Sequence, residues 1–292
     1  MTSRMANHNH FLITGAHGQL AAEFQNILAL KNIKYDAPTE KELDITNFEQ
    51  LRGRIEKFKP KIILNCAAYN FVDEAEENAE RAYSVNAKAV EHLAALCQEY
   101  GVFLVHYSTD YVFDGCKQDF YDEEDIPKPL NTYGQSKLEG ERIVRKNLKN
   151  FLLLRLSWVF GPGKQNFLKK VYEWSKKSDF LNICQEEKSV PTYTFDVATT
   201  TLLALEKKLS GLYHLTNSGA CSRDQFAIYF LARAGIKKEI KGVPASFFRL
   251  KAKRPAFSAM SNSKISKALG IQLPTWQDAV DRYVKRFKNE IN

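Results

Sequence analysis

The first half of the chain alternates two hydrophobic periods, and this alternation restricts the fold more than any other feature. Short runs at Phe11 to Thr14, Lys61 to Cys66, Val102 to Tyr107 and Phe151 to Leu156 have strand length and are apolar almost throughout. Longer amphipathic stretches separate them: LAAEFQNILAL, Phe48 to Phe58, Ala75 to Tyr100 with a break near Asn78, and Tyr133 to Asn147. A weaker strand is predicted near Ile33 to Tyr35. Continuously apolar strands need cover on both faces, and helical crossovers supply it. The expectation is an α/β fold with a doubly wound parallel sheet.

After Trp158 the rhythm loosens. Helices are predicted near Asn166 to Lys177, Asp196 to Lys208 and Ser222 to Ala234, with strands at Phe180 to Cys184 and Gly211 to Thr216. Loops rich in Pro and Lys then lead to a final helix from Trp276. No Gly/Ser linker divides the chain, so two closely packed lobes are expected. Residues 10–157, with returning segments after 180, form the first. Residues 158–180 and 217–292 contribute a smaller α/β C-terminal lobe.

The 292 residues carry 42 Lys+Arg against 34 Asp+Glu. The excess lies at the end: Ala232 to Asn292 holds 14 basic and 4 acidic residues. Such a segment suits nucleic acid, an anionic small molecule or plain solvation. With 44% hydrophobic residues the chain is not of disordered composition. Cys66, Cys97, Cys116, Cys184 and Cys221 form no CxxC pair, which suggests reduced thiols and a cytoplasmic location. No apolar run approaches the ~20 residues that span a bilayer. The start, MTSRMANHNH, lacks a signal-peptide core. His8 and His10 there suit a frayed terminus better than a metal site, and no metal is expected.

The motifs that carry chemistry follow the strands. After the first comes Gly15, Ala16, His17, Gly18, Gln19, Leu20 and Ala21, a GxxGxxA turn. Glycine lets backbone N–H groups approach a pyrophosphate, and the helix that follows adds its positive end. Asn65-Cys66-Ala67-Ala68 ends another strand with small residues that admit a flat ring. Tyr107-Ser108-Thr109-Asp110 puts hydroxyls at a strand's carboxyl end, where ligands bind in such sheets. Tyr133 and Lys137 lie one helical turn apart, on one face. An ammonium beside a phenol favours phenolate, so Lys137 is expected to lower the Tyr133 pKa and suit it to proton transfer. Each motif alone is weak. Their order and placement make coincidence a poor account.

The combination resembles the extended short-chain dehydrogenase/reductases, and within them the dTDP-4-dehydrorhamnose reductase family. The similarity runs from Phe11 to the final helix. GAHGQL, ELDIT, VDEAE, VNA, HYSTDYVFDG, PLNTYGQSKLEGE, LRLSWVFG, PTYTFDVA, GLYHLTNSG and RPAFSAMSNSKI carry it. It implies a Rossmann-type sheet and reduction of a C4 keto group on a dTDP-sugar by NADPH or NADH. Tyr133 would donate the proton, Lys137 would bind the nicotinamide ribose, Thr109 would hold the carbonyl and Asn86 would support a proton relay. Gly15, His17, Gly18, Gln19, Leu20, Asp44, Ile45, Ala67, Ala68 and Tyr69 would line the cofactor, beside Tyr133 and Lys137. Val72, Thr109, Asp110, Trp158 and Arg254 would face the sugar nucleotide. The resemblance leaves a homodimer open. Glu23 matches an acidic position that links some relatives through a metal, although a solvent-facing helix glutamate is the simpler reading.

Several positions depart from the family. Ala21 replaces a third glycine, and Asn70 a threonine. Glu186 to Thr192 reads EEKSVPT where DQxGxPT is common. At the end of strand two, Thr39-Glu40 supplies neither a ribose-binding Asp nor a phosphate-binding Arg, so NADH against NADPH stays open. Thr109-Asp110-Tyr111 lacks the glutamate of the related 4,6-dehydratases, which favours reduction over elimination. An epimerase, a non-catalytic regulatory subunit of the same fold and, from charge alone, a nucleic-acid binder are the competing readings.

Overall fold

The computed structural model describes residues 10–163 and 166–287. His8 and the rest of the leader before His10 lie outside the described residues. The chain runs β1 (Phe11–Thr14), α1 (Gln19–Leu30), β2 (Tyr35–Asp36), α2 (Phe48–Phe58), β3 (Ile62–Asn65), α3 (Val72–Ala75) and α4 (Ala79–Tyr83). A π-helical turn at Ser84–Lys88 leads into α5 (Ala89–Tyr100), then β4 (Phe103–Thr109), α6 (Thr132–Asn147), β5 (Phe151–Leu156) and β6 (Val159–Phe160). Next come α7 (Phe167–Ser175), β7 (Phe180–Cys184), β8 (Lys188–Ser189), β9 (Thr192–Tyr193), α8 (Thr194–Glu206) and β10 (Gly211–His214). The chain ends with β11 (Cys221–Ser222), α9 (Arg223–Arg233), β12 (Glu239–Val243), α10 (Ser263–Leu269) and α11 (Trp276–Arg286).

Six strands make one parallel sheet in the order β2-β1-β3-β4-β5-β10. The side chains of the inner strands β1, β3, β4 and β5 are buried on both faces, which is why those runs are continuously apolar. One face packs on α1, α8 and α10 through Phe24, Leu28, Val197, Leu202 and Ile265. The other packs on α2, α5 and α6 through Leu51, Ile55, Leu93 and Val144. From β1 the chain steps out to β2 and then crosses to β3 on the other side of β1. That reversal opens a crevice at the carboxyl ends of β1 and β3. A third apolar cluster joins α7, β7, α9 and α11 around Phe160, Phe226, Phe230, Trp276 and Tyr283.

The order of strands and helices follows the sequence pattern, with exceptions at exposed edges. β2 is two residues long and ends at Asp36, so Thr39-Glu40 lies beyond it. β12 and α10 form where loops rich in Pro and Lys were expected. β12 is an exposed strand paired, among the described residues, with β7 alone, and its Lys and Glu residues conceal its period. Glu23 is not solvent-facing: it is 1% exposed. Arg286 of α11 donates to both its oxygens, at 2.8 and 2.9 Å. α1 is covered here by α8 and the end of α11, so its polar position is internal.

Candidate active site

The glycine turn and the end of β3 meet at the strand-order reversal. Gly15 has φ +70°, and a Cβ there would lie 2.8 Å from the Ala67 backbone. No side chain is accommodated, so the two loops touch through backbone. Thr14 and Asn65 hold this contact from below. The Thr14 hydroxyl donates to Asn65 Oδ1 at 2.6 Å and accepts from Ala67 N–H at 3.3 Å. Gly18 caps α1 with no side-chain hydrogen bond, and no acidic residue sits in the first turn at Gln19 and Leu20. The positive end of α1 therefore meets no competing anion from its own first turn. A backbone-lined cradle before an uncapped helix fits a dinucleotide pyrophosphate. His17 is exposed at its rim.

Asn86 sits in the π-helical turn, buried at 1% exposure. Its Oδ1 accepts from Tyr69 N–H at 2.9 Å. Its Nδ2 donates to Tyr69 O and to Ser136 Oγ, both at 3.0 Å. Asn86 thus clamps the loop carrying Ala67, Ala68 and Tyr69 to α6. Asp44 and Ile45 lie apart, before α2. Asp44 caps its own turn by accepting from Thr46, and Ile45 is buried in the sheet's second face.

Tyr133 and Lys137 lie on the first turns of α6. Asn131 caps that helix through Gly134 N–H at 2.8 Å. Gly134 lets it approach the end of β4, since a Cβ there would lie 2.3 Å from Tyr111 O. Tyr133 consequently packs edge-on against Tyr111, ring centroids 5.8 Å apart, beside Thr109. Its hydroxyl donates to Asn70 Oδ1 at 3.4 Å. Lys137 is 3% exposed and donates to Tyr107 O at 2.6 Å.

The electrostatics differ from the expectation. Burial pushes the Tyr133 phenol up, opposed by its hydrogen bond with Thr109. It pushes Lys137 down to about 8, while Glu141 and Cys66 hold it up. Lys137 is turned to a strand carbonyl, so its charge does not offset the desolvation of the phenol. A protonated phenol beside a titratable ammonium is the state from which a proton is given.

On the far side, Val72 begins α3, and Trp158 follows β5 with φ +39°, a strained conformation for a bulky residue. Arg223 stacks on the Trp158 indole at 3.8 Å. Arg254 donates to both Asp73 oxygens, at 3.2 and 2.6 Å. Asp110 is held by Thr109, Ser189 and Ser258.

Four residues escaped the sequence reading: Asp73, Arg223, Asp36 and Arg54. The last two form a bidentate pair at 2.5 and 2.6 Å where β2 ends. A signal existed, since Asp36 lies 21 positions after Gly15, close to the spacing of a ribose-binding acid.

Residues 9–289 match the family model described as the RmlD substrate binding domain. A dTDP-4-dehydrorhamnose reductase of Aggregatibacter actinomycetemcomitans is 38% identical, over 92% of this chain and 96% of that one. The chain belongs to the dTDP-4-dehydrorhamnose reductase family. Two solved members superpose closely, each 33% identical with a TM-score of 0.92. The enzyme from Clostridium acetobutylicum covers 96% of this chain and 99% of its own. That from Bacillus anthracis, solved in complex with NADP, covers 95% and 99%. Family membership covers the sheet and the cleft alike, and no helix among the described residues is long and apolar enough to cross a membrane.

Proposed function

We propose that this protein reduces the C4 keto group of dTDP-4-dehydro-L-rhamnose with NADPH or NADH to give dTDP-L-rhamnose. One observation carries the reading: in a reductase-family chain, Thr109, Tyr133 and Lys137 converge at the carboxyl end of β4, beside the Gly15–Ala67 cradle.

Gly15, His17, Gly18, Gln19 and Leu20 would hold the pyrophosphate, and Ala67, Ala68 and Tyr69 the nicotinamide side. Bound there, the nicotinamide supplies the hydride. Tyr133 gives its proton to the C4 oxygen, and a high pKa keeps that proton in place at neutral pH. Lys137, its ammonium anchored on Tyr107 O, would bind the nicotinamide ribose. Thr109 orients the carbonyl. Asn86 acts by fixing the Tyr69 loop against α6. Asp44 and Ile45 would flank the adenine. Asp36 and Arg54 stand where a carboxylate reads a ribose hydroxyl and an arginine reads a 2′-phosphate. Having both supports the use of either cofactor.

Val72, Trp158 and Arg254 would face the sugar nucleotide, with residues 158–180 and 217–292 as the substrate lobe. Five free cysteines support a cytoplasmic location, and a homodimer accords with the family. Oxidation of NADPH and NADH by the pure protein with dTDP-4-dehydro-L-rhamnose tests the reading. No turnover with either cofactor refutes it.

A further inference from the structure

The resemblance sets Asp110 facing the sugar nucleotide, and its surroundings give the buried carboxylate a second task. It follows Thr109 at the end of β4 and is 2% exposed. Three hydroxyls from separate segments donate to its carboxylate. Thr109 reaches Oδ1 at 3.2 Å, while Ser189 and Ser258 reach Oδ2 at 3.0 and 2.5 Å. Ser189 and Ser258 are themselves 0% and 2% exposed.

The two serines belong to one piece of backbone structure. Lys188 N–H donates to Ala256 O at 2.8 Å, and Ser258 N–H donates to Lys188 O at 2.9 Å. Ser189 also pairs with Cys221, just before Arg223. This piece carries the opposite wall of the cleft. Glu187 binds Arg223 at 3.4 Å and lies 4.0 Å from Arg254. Asp110 therefore joins that wall to the strand end that bears Thr109.

We propose that Asp110 is a positioning residue: its ionised carboxylate, through Ser189 and Ser258, fastens segments 187–189 and 256–258 to the catalytic strand. The proposal rests on the reductase reading for its kinetic arm. The geometry asks for an ionised group, because three donors converge on one carboxylate and a protonated carboxyl would add a fourth hydrogen among them. Burial raises its pKa to about 6, against the three hydroxyls and Arg223. Arg223 faces it from α9, and the phenols of Tyr111 and Tyr133 face it from the β4 end and α6. The charge is present at neutral pH and lost in mild acid.

The test pairs kinetics with unfolding of the free protein. In wild type, KM for the sugar nucleotide should rise as pH falls through about 6, with kcat changing less. Asp110→Asn should raise KM roughly tenfold at neutral pH and abolish that limb. Ser258→Ala removes a donor that favours the ionised form, so the limb should move to higher pH. Thermal unfolding needs no substrate. An acid whose folded pKa is raised gives stability as pH falls through it, so the Tm of wild type minus that of Asp110→Asn should increase from pH 8 to 5. A purely structural tie would show the same Tm trend but leave the KM profiles of wild type and Asp110→Asn parallel. That result, or an acid limb surviving in Asp110→Asn, overturns the proposal. A pH-dependent Tm difference without turnover in either protein would sink the reductase reading and keep the tie.

Discussion

Replacing Gly134 by alanine should disable the site while leaving the fold almost intact. Gly134 sits in the first turn of α6, between Tyr133 and the helix it introduces. A Cβ there would lie 2.3 Å from Tyr111 O and 3.0 Å from Pro129 Cβ, whereas ordinary contact begins at 3.4 Å. The carbonyl is backbone and cannot rotate away. The first turn of α6 and the end of β4 must therefore separate by about 1.1 Å, the difference between 3.4 and 2.3. Tyr133 rides on one side of that gap and Thr109 on the other. A misplacement of about 1 Å between reacting groups costs on the order of 100-fold in rate. Overpacking costs about 1–3 kcal/mol, and alanine returns about 1 kcal/mol in helix propensity. Turnover should fall far more than stability.

Gly53 supplies the control. It lies in the middle of α2, exposed, with nothing within 4 Å of a built Cβ. Gly53→Ala should add about 0.5–1 kcal/mol of stability and leave turnover unchanged. Saturating kcat and Tm measured on both variants decide the matter. A Gly134→Ala enzyme with kcat within twofold of wild type would refute the packing argument.

Tyr133→Phe should keep cofactor binding and lose about 10²- to 10⁴-fold in kcat, and full turnover would remove the acid assignment. Lys137, at about 8, loses its proton as pH rises through that value, so kcat/KM should fall on the alkaline side. Glu141 holds that pKa up, so Glu141→Gln should move the alkaline limb to lower pH, and a stationary limb contradicts the coupling. The same change strands Arg155, since both side chains of this pair are 1% exposed. A cost of about 3–5 kcal/mol, or roughly 10 °C in Tm, is expected by calorimetry. Arg54→Ala should raise KM for NADPH about tenfold more than KM for NADH, and equal increases would remove Arg54 from cofactor choice.

The sheet was legible because its strands are buried on both faces and its helices on one, so each period is strong over many residues. Legibility failed where neighbours far along the chain decide the outcome. β2 has two residues, too few for a period, and its misplaced end hid Asp36. Glu23 has the spacing of an outer helix position, yet α11, more than 250 residues later, turns it inward. The resemblance sets Asp110 against the substrate, but no local pattern shows which side chains hold it. What it binds is set by Ser189 and Ser258, 79 and 148 positions away. The tyrosine and lysine were found by spacing, but the direction of the Tyr133 shift was not. Burial of a phenol and the turn of an ammonium to Tyr107 O are properties of packing, which a motif does not contain.

The basic end of the chain takes a different meaning once its partners are known. Arg286 holds Glu23, Arg282 holds Asp196, Arg254 holds Asp73 and Lys251 holds Glu77. Every acid in that set comes from the first 231 residues, whose own balance is near neutral. The excess positive charge of the last segment is thus partly spent within the molecule, fastening it to α1, α3 and α8. Exposed pairs such as Lys251 with Glu77 contribute about 0–1 kcal/mol each. Arg286 with Glu23 weighs more, because Glu23 would otherwise be a buried unpaired charge. These attachments fall on α1, which follows the Gly15 turn, and on α3, which follows the end of β3 that meets that turn. The charge asymmetry visible in the sequence is therefore first a record of how the end of the chain is fastened to the helices before it. Arg223, just before that segment, is balanced in the same way by Glu187.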